Sequence, residues 1–387
     1  MIMLRLPRIF RSFAPAAVAV LAAASPSAAV ETAAPEAIVV DYDTGAVLFE
    51  KNADEKVGPA SMAKMMTVYL LFERLQDGRM SLEDKLTVSE DVWRRWYKSE
   101  GSKMFLEVGK EVSVEDLIRG IVVQSGNDAS DVVAEAIAGS EEAFAREMNR
   151  KARELGMTST LFANASGWPA PDQYTTVRDL ATLVAATVRK FPNFYHYYAE
   201  KNFTFNGIKQ GNRNPLLYKD VGVDGLKTGH TQESGFGLAA SAERDGRRVI
   251  VVAHGMESMR ARGEQVERLI DWAFREWDHV AMFESGEIVA EIPVWLGDED
   301  FVPVVAMDDV TVAVPLKSMR RMTVSVTHRK AVPAPIARGD RIATLVVAAP
   351  DMKPVEVPLY AGADVGERGF FGRIGPAIKS LVLGSTG

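Results

Sequence analysis

The chain reads as an α+β protein: an antiparallel sheet with helices packed against it, followed by a small all-β sandwich. Helical periodicity runs through Ala60 to Leu75 and Val114 to Gly156, and two strand-like runs, Gly235 to Ser241 and Arg248 to Gly255, are joined by a turn. Beyond Phe283 the pattern changes to short alternating strands separated by Gly, Pro and Asp. At 387 residues, 47% hydrophobic and 25% charged, the chain is long enough to bury two cores.

In chain order, Arg5, Arg8 and Arg11 precede an apolar run from Ala14 to Ala24 and then Ser25-Pro26-Ser27-Ala28-Ala29. A basic start, an apolar stretch and small residues form an export signal cleaved after Ala29. An uncleaved anchor is the alternative, but the run is short of the ~20 residues a spanning helix needs. Next, Ile38 to Tyr42 and Ala46 to Glu50 flank Asp43-Thr44-Gly45, a hairpin signature. Met62, Met65, Met66, Tyr69, Leu70 and Phe72 form one broad apolar face behind Pro59, so Ser61 is expected to open a buried helix.

The Val114 to Gly156 stretch breaks at Ser125-Gly126-Asn127 and at Gly139, which predicts several packed helices. Lys227-Thr228-Gly229 is expected to precede or start the strand Gly235 to Ser241, and Arg244-Asp245-Gly246 turns that strand into the next. Arg260 to Trp277 is an amphipathic helix closing the first domain. Val310 to Val314, Met322 to Val326, Arg341 to Val347 and Val355 to Tyr360 are the strands of the second. In the tail, Phe370, Phe371, Ile374, Ile378 and Leu381 fall at roughly helical spacing with Arg373 and Lys379 among them, as in a helix lying on a membrane. Gly375-Pro376 must kink or restart that helix, and a packed terminal helix is the other reading. The expected division is therefore 1–29, 30–282, 283–365 and 366–387.

Composition excludes several chemistries. Removing the three arginines of the export signal takes the formal charge from -7 to -10, which disfavours nucleic acid as a partner. The absence of cysteine rules out disulfides, thiol catalysis and cysteine-ligated metal. His196, His230, His254, His279 and His328 show no metal-ligand spacing, so neither a metal nor any other cofactor is expected.

Three short motifs remain: Ser61-Met62-Ala63-Lys64, Ser125-Gly126-Asn127 and Lys227-Thr228-Gly229. Singly, each reads as a helix cap, a helix break or an ordinary turn. Residues i and i+3 of a helix share a face, so the Lys64 amine can reach the Ser61 hydroxyl and serve as its base. A lysine with its ordinary pKa near 10.4 would be protonated at neutral pH, so burial or a nearby cation must lower it. Lys227 is the expected cation. Ser125 is placed to carry a proton between Lys64 and a leaving amine, and Asn127 to position Lys64 and the substrate backbone. Lys227 and Thr228 offer a charge and a hydroxyl to a substrate carboxylate at a strand edge, with Gly229 keeping the approach clear. The backbone N–H groups of Ser61 and His230 would hold the oxyanion.

The three motifs in this order, separated by roughly 60 and 100 residues, are the signature of active-site serine penicillin-binding proteins and β-lactamases. The chain resembles the low-molecular-mass penicillin-binding proteins that act as D-alanyl-D-alanine carboxypeptidases. The likeness runs through Pro59-Ala60-Ser61-Met62-Ala63-Lys64-Met65-Met66-Thr67, Ser125-Gly126-Asn127-Asp128-Ala129 and Asp224-Gly225-Leu226-Lys227-Thr228-Gly229-His230-Thr231 to Phe370-Phe371-Gly372. It implies a β-lactamase/transpeptidase-like catalytic fold and release of terminal D-alanine from peptidoglycan stem peptides through an acyl-enzyme on Ser61. It also implies β-lactams as covalent inhibitors and a periplasmic location, with the tail on the inner-membrane surface. By the same likeness Arg262 helps hold the terminal carboxylate.

The competing readings are a class A β-lactamase, an endopeptidase acting on cross-links, and a non-catalytic cell-wall scaffold. The first needs a Glu-x-x-x-Asn stretch between Ser125 and Lys227, where the sequence instead has Asn164-Ala165-Ser166-Gly167-Trp168-Pro169. The scaffold reading sits poorly with intact Ser61, Lys64, Asn127 and Lys227. Sequence does not separate the endopeptidase from the carboxypeptidase.

Overall fold

The structure, a computed structural model, describes residues 30–369. The expected export signal and most of the expected membrane tail lie outside the described residues. The chain divides into two compact units, the first ending at Phe274 and the second beginning at Arg275.

In the first unit, β1 (Glu36–Asp41) and β2 (Val47–Lys51) form the expected hairpin. A 3-10 turn over Ala60–Ala63 leads into α1 (Lys64–Gln76). Ser61 therefore sits in the turn before the helix rather than in its first turn. Ten of the thirteen α1 residues are buried, as suits a helix enclosed on every side. After β3 (Lys85–Thr87), α2 (Glu90–Tyr97) and β4 (Glu111–Ser113), the stretch expected to hold several packed helices holds α3 (Val114–Val122), α4 (Asn127–Ala138) and α5 (Glu141–Glu154). The helix α6 (Val177–Lys190) follows. Ser89, Ser113, Ser140 and Thr176 cap α2, α3, α5 and α6, each side chain accepting a backbone N–H three residues on.

A small hairpin of β5 (Asn202–Phe205) and β6 (Ile208–Gly211) precedes the long strands β7 (Val223–Thr231), β8 (Gly235–Arg244) and β9 (Arg247–Met256). The main sheet has the order β2-β1-β9-β8-β7, antiparallel throughout, and α7 (Met259–Glu276) ends the unit. Ile38, Ile250 and Val252 join the core built with α1 and α6. Val39, Val251 and Ala253 alternate with them and are buried outside that core, as are Val266 and Leu269 of α7. Both faces of the sheet are thus covered, which explains strands apolar at nearly every position. Lys227-Thr228-Gly229 lies in the middle of its own strand, at one edge of this sheet, and not at the start of the strand that follows.

Beyond its first residues the second unit is built of β-strands, with one 3-10 turn over Leu316–Arg321. Strand β10 (Trp277–Phe283) pairs with β13 (Val310–Pro315). The strands β11 (Ile288–Trp295), β12 (Phe301–Val305), β14 (Thr323–His328), β15 (Val332–Pro333), β16 (Arg341–Ala348) and β17 (Val355–Ala361) make a sheet of order β14-β16-β17-β12-β11-β15. Val280, Val312 and Val314 of the first sheet share a core with Val302, Val304, Leu345 and Leu359 of the second, which is the expected sandwich.

Candidate active site

Two close backbone approaches build the floor of the site. A Cβ on Gly229 would lie 3.1 Å from the Ala60 side chain and 3.2 Å from the Pro59 carbonyl oxygen, so β7 runs tight against the turn that carries Ser61. From another side, a Cβ on Gly167 would sit 1.8 Å from the Ala60 carbonyl oxygen, and Gly167 has φ +73°. Only glycine fits there. Ala60 itself has φ 46° and Ser125 φ 61°, left-handed values that cost a non-glycine residue roughly 1–3 kcal/mol and must be held by their surroundings.

Within this frame, the Lys64 Nζ is 3.1 Å from Ser61 Oγ, 2.7 Å from Asn127 Oδ1 and 2.5 Å from the Ser166 carbonyl oxygen. The amine is fully buried and its pKa is lowered to about 7. Burial is the largest cause; Asp131 opposes it, Arg213 adds to it and Asp128 opposes it again. Arg213, which the sequence reading did not name, lowers the pKa of Lys64, and the expected cation Lys227 interacts with Lys64 as well, the Lys64 charge lowering the pKa of Lys227. Ser125 Oγ is buried and makes no hydrogen bond, which leaves it available to a ligand or to Lys64. Asn127 begins α4 and is fixed by its backbone N–H bond to the Ser102 carbonyl at 2.8 Å.

Lys227, Thr228 and Arg262 are buried as well. Lys227 Nζ donates only to the Thr228 carbonyl, at 3.1 Å, and its pKa is pushed well below the ordinary value, first by burial and then by the charges of Lys64, Arg213 and Arg262. Arg262 donates to the Arg213 carbonyl at 3.1 Å, its Nε has no partner, and burial with Arg213 lowers its pKa to about 10. Arg213 donates to Ser102 Oγ. Among the described residues no carboxylate pairs with any of these three cations. Buried cations that repel one another without an anion form a cradle that a carboxylate would relieve. The exposed His230 ring, on β7, stacks on Phe236 with centroids 3.8 Å apart.

Several groups escaped the sequence reading. Arg213 lies in no motif, and only the fold brings it to Lys227. The Ser166 carbonyl holds Lys64 from a loop read merely as a family likeness. Asp131 lies one helical turn beyond Asn127, takes the Trp96 indole N–H at 2.7 Å, and has its pKa raised to about 7, chiefly by burial. Its i+4 spacing from Asn127 was the available signal.

Comparison with known proteins places this geometry in context. A family model described as D-alanyl-D-alanine carboxypeptidase matches residues 21–258, and one described as penicillin-binding protein 5, C-terminal domain, matches residues 277–367. The chain is 38% identical over 341 residues to the D-alanyl-D-alanine carboxypeptidase DacC of Escherichia coli, spanning 87% of this chain and 85% of that protein. Penicillin-binding protein 5 from Haemophilus influenzae superposes with TM-score 0.80 at 36% identity, over 89% of this chain and 99% of that one. Penicillin-binding protein D2 from Listeria monocytogenes, solved in an ampicillin-bound form, superposes with TM-score 0.57 at 29% identity over 63% of this chain and 98% of its own.

Proposed function

Because the chain belongs to the D-alanyl-D-alanine carboxypeptidase family, we propose that Ser61 is its nucleophile and Lys64 its general base in removing terminal D-alanine from peptidoglycan stem peptides. The protein is a serine-type hydrolase and a penicillin-binding protein. The observation that carries the assignment is the fully buried Lys64 amine, 3.1 Å from the Ser61 hydroxyl with a pKa lowered to about 7.

The substrate extends along the free edge of β7, its C-terminal carboxylate between Lys227, Thr228, Arg213 and Arg262. Ser61 Oγ attacks the carbonyl carbon of the penultimate D-alanine while its proton passes to Lys64. The oxyanion is held by the N–H groups of Ser61 and His230, each donor worth about 3 kcal/mol. As the carbonyl re-forms, the C–N bond breaks and the leaving D-alanine amine takes a proton from Lys64 through Ser125, whose unpartnered hydroxyl suits a relay. Water then attacks the ester carbonyl and its proton passes to Lys64; the C–Oγ bond breaks, Ser61 Oγ takes that proton from Lys64, and the shortened peptide leaves with a free carboxylate. Asn127 holds Lys64 in place.

The same reading extends to the rest of the chain: export through residues 1–29, a catalytic domain over 30–282, a β-rich domain over 283–365, and residues 366–387 lying on the outer face of the cytoplasmic membrane. It is supported by the leader and tail composition, and no helix among the described residues is long and apolar enough to cross a membrane. Release of D-alanine by wild type and by Ser61→Ala tests the assignment; the variant is expected to lose at least about a thousandfold in rate. Unchanged release would refute the nucleophile.

A further inference from the structure

Between α2 and β4 the chain runs as a loop past two groups already placed in the site, and its contacts with both fall on one residue. The Ser102 carbonyl accepts the backbone N–H of Asn127 at 2.8 Å, and Ser102 Oγ accepts from Arg213 Nη1 at 2.5 Å. Among the described residues that hydroxyl is the only hydrogen-bond partner of the Arg213 side chain. Asn127 has other support, because α4 carries its backbone and its amide oxygen meets Lys64 at 2.7 Å. The aim of the Arg213 guanidinium therefore depends on where Ser102 sits.

The next residue, Lys103, is half-buried and turns its side chain back to the end of α2. Its ammonium donates to the carbonyls of Ser99 at 2.5 Å, Trp96 at 3.0 Å and Tyr97 at 3.4 Å, so all three of its protons are used. Trp96 and Tyr97 end α2, where the helical ladder leaves carbonyls over and the dipole favours a cation. Among the described residues no carboxylate pairs with Lys103, so its charge serves the backbone alone. On the far side of the same residue, the Asp128 carboxylate takes the Met104 and Leu106 N–H groups at 2.8 and 3.2 Å. Ser102 is thus stretched between the Lys103 clasp on α2 and an anchorage on α4.

We propose that Lys103 is a positioning residue for the peptidase reaction: by clasping the end of α2 it sets Ser102, and through Ser102 it aims Arg213 at the C-terminal carboxylate of the substrate. The role rests on the peptidase reading above and adds to it a residue that touches neither the substrate nor the reacting atoms.

Kinetics of D-alanine release from a peptide ending in D-alanyl-D-alanine test it. Lys103→Met keeps the length of the side chain and removes its donors; KM is expected to rise at least about tenfold while kcat changes by less than about twofold. Lys103→Arg keeps the charge and the donors and is expected to recover most of that loss. Ser102→Ala removes the hydroxyl that Arg213 uses and is expected to raise KM too, and Lys103→Met added to it is expected to raise KM no further, since both act on one contact. An unchanged KM in Lys103→Met would overturn the role, as would a loss confined to kcat or losses that multiply in the double variant. If Lys103→Met does not fold, Lys103→Gln carries the same comparison. No release of D-alanine by wild type would overturn the peptidase reading and this role together.

Discussion

At Lys64, burial and hydrogen bonding serve different ends. Three acceptors hold the amine, while its removal from water lowers its pKa to about 7 and leaves a large neutral fraction at neutral pH. Acylation by a β-lactam is expected to rise with pH and level off above about 7, as stopped-flow rates across the range will read. The same shift affects stability. Unfolded, Lys64 keeps its proton up to 10.5, and folded only up to about 7, so between these values the unfolded state binds more protons and stability rises with pH. Relative to wild type, Lys64→Met is therefore expected to gain stability most at acid pH and least near 10.5 in urea unfolding curves, while losing acylation. Lys64 and Ser61 were legible because one helical turn joins them; Arg213 and Asp131 were not, since the field around the amine is set by groups distant in sequence.

The 164–168 loop and β7 each approach the turn over Ala60–Ala63 too closely at Gly167 and Gly229 for a side chain to fit comfortably. Gly167 is the sharpest case, with a left-handed φ and the Ala60 carbonyl oxygen where a Cβ would go. Gly167→Ala is expected to cost at least about 1 kcal/mol from backbone strain alone and to displace Ser61, cutting penicillin acylation sharply while circular dichroism stays native. Trp96→Phe removes the donor to a buried Asp131 oxygen and is expected to destabilise by about 1–3 kcal/mol in chemical denaturation. The boundaries of α3, α4 and α5 were readable because Ser113 and Ser140 cap α3 and α5 and Gly139 ends α4. Periodicity gave less on β7, whose Gly, Lys, Thr and His residues look like a turn. That strand is specified by pairing with β8 and by its contact with the Ser61 turn, both long-range.

Over the whole molecule, two units carry separate cores, one around α1 and the main sheet and one between the sheets of the β-rich unit. Calorimetry is expected to resolve two unfolding transitions, of which only one moves when the protein carries a β-lactam. A single transition shifted as a whole would show that the units unfold together. The change of pattern near Phe283 revealed two domains in sequence, but the strand Trp277–Phe283 was hidden because its partner, Val310–Pro315, lies across two intervening strands. The claim on which the rest depends is that the Ser61 hydroxyl is the group acylated. Peptide mapping by mass spectrometry after benzylpenicillin treatment tests it directly: the adduct is expected on the peptide containing Ser61, and an adduct on Ser125 or elsewhere would contradict the account.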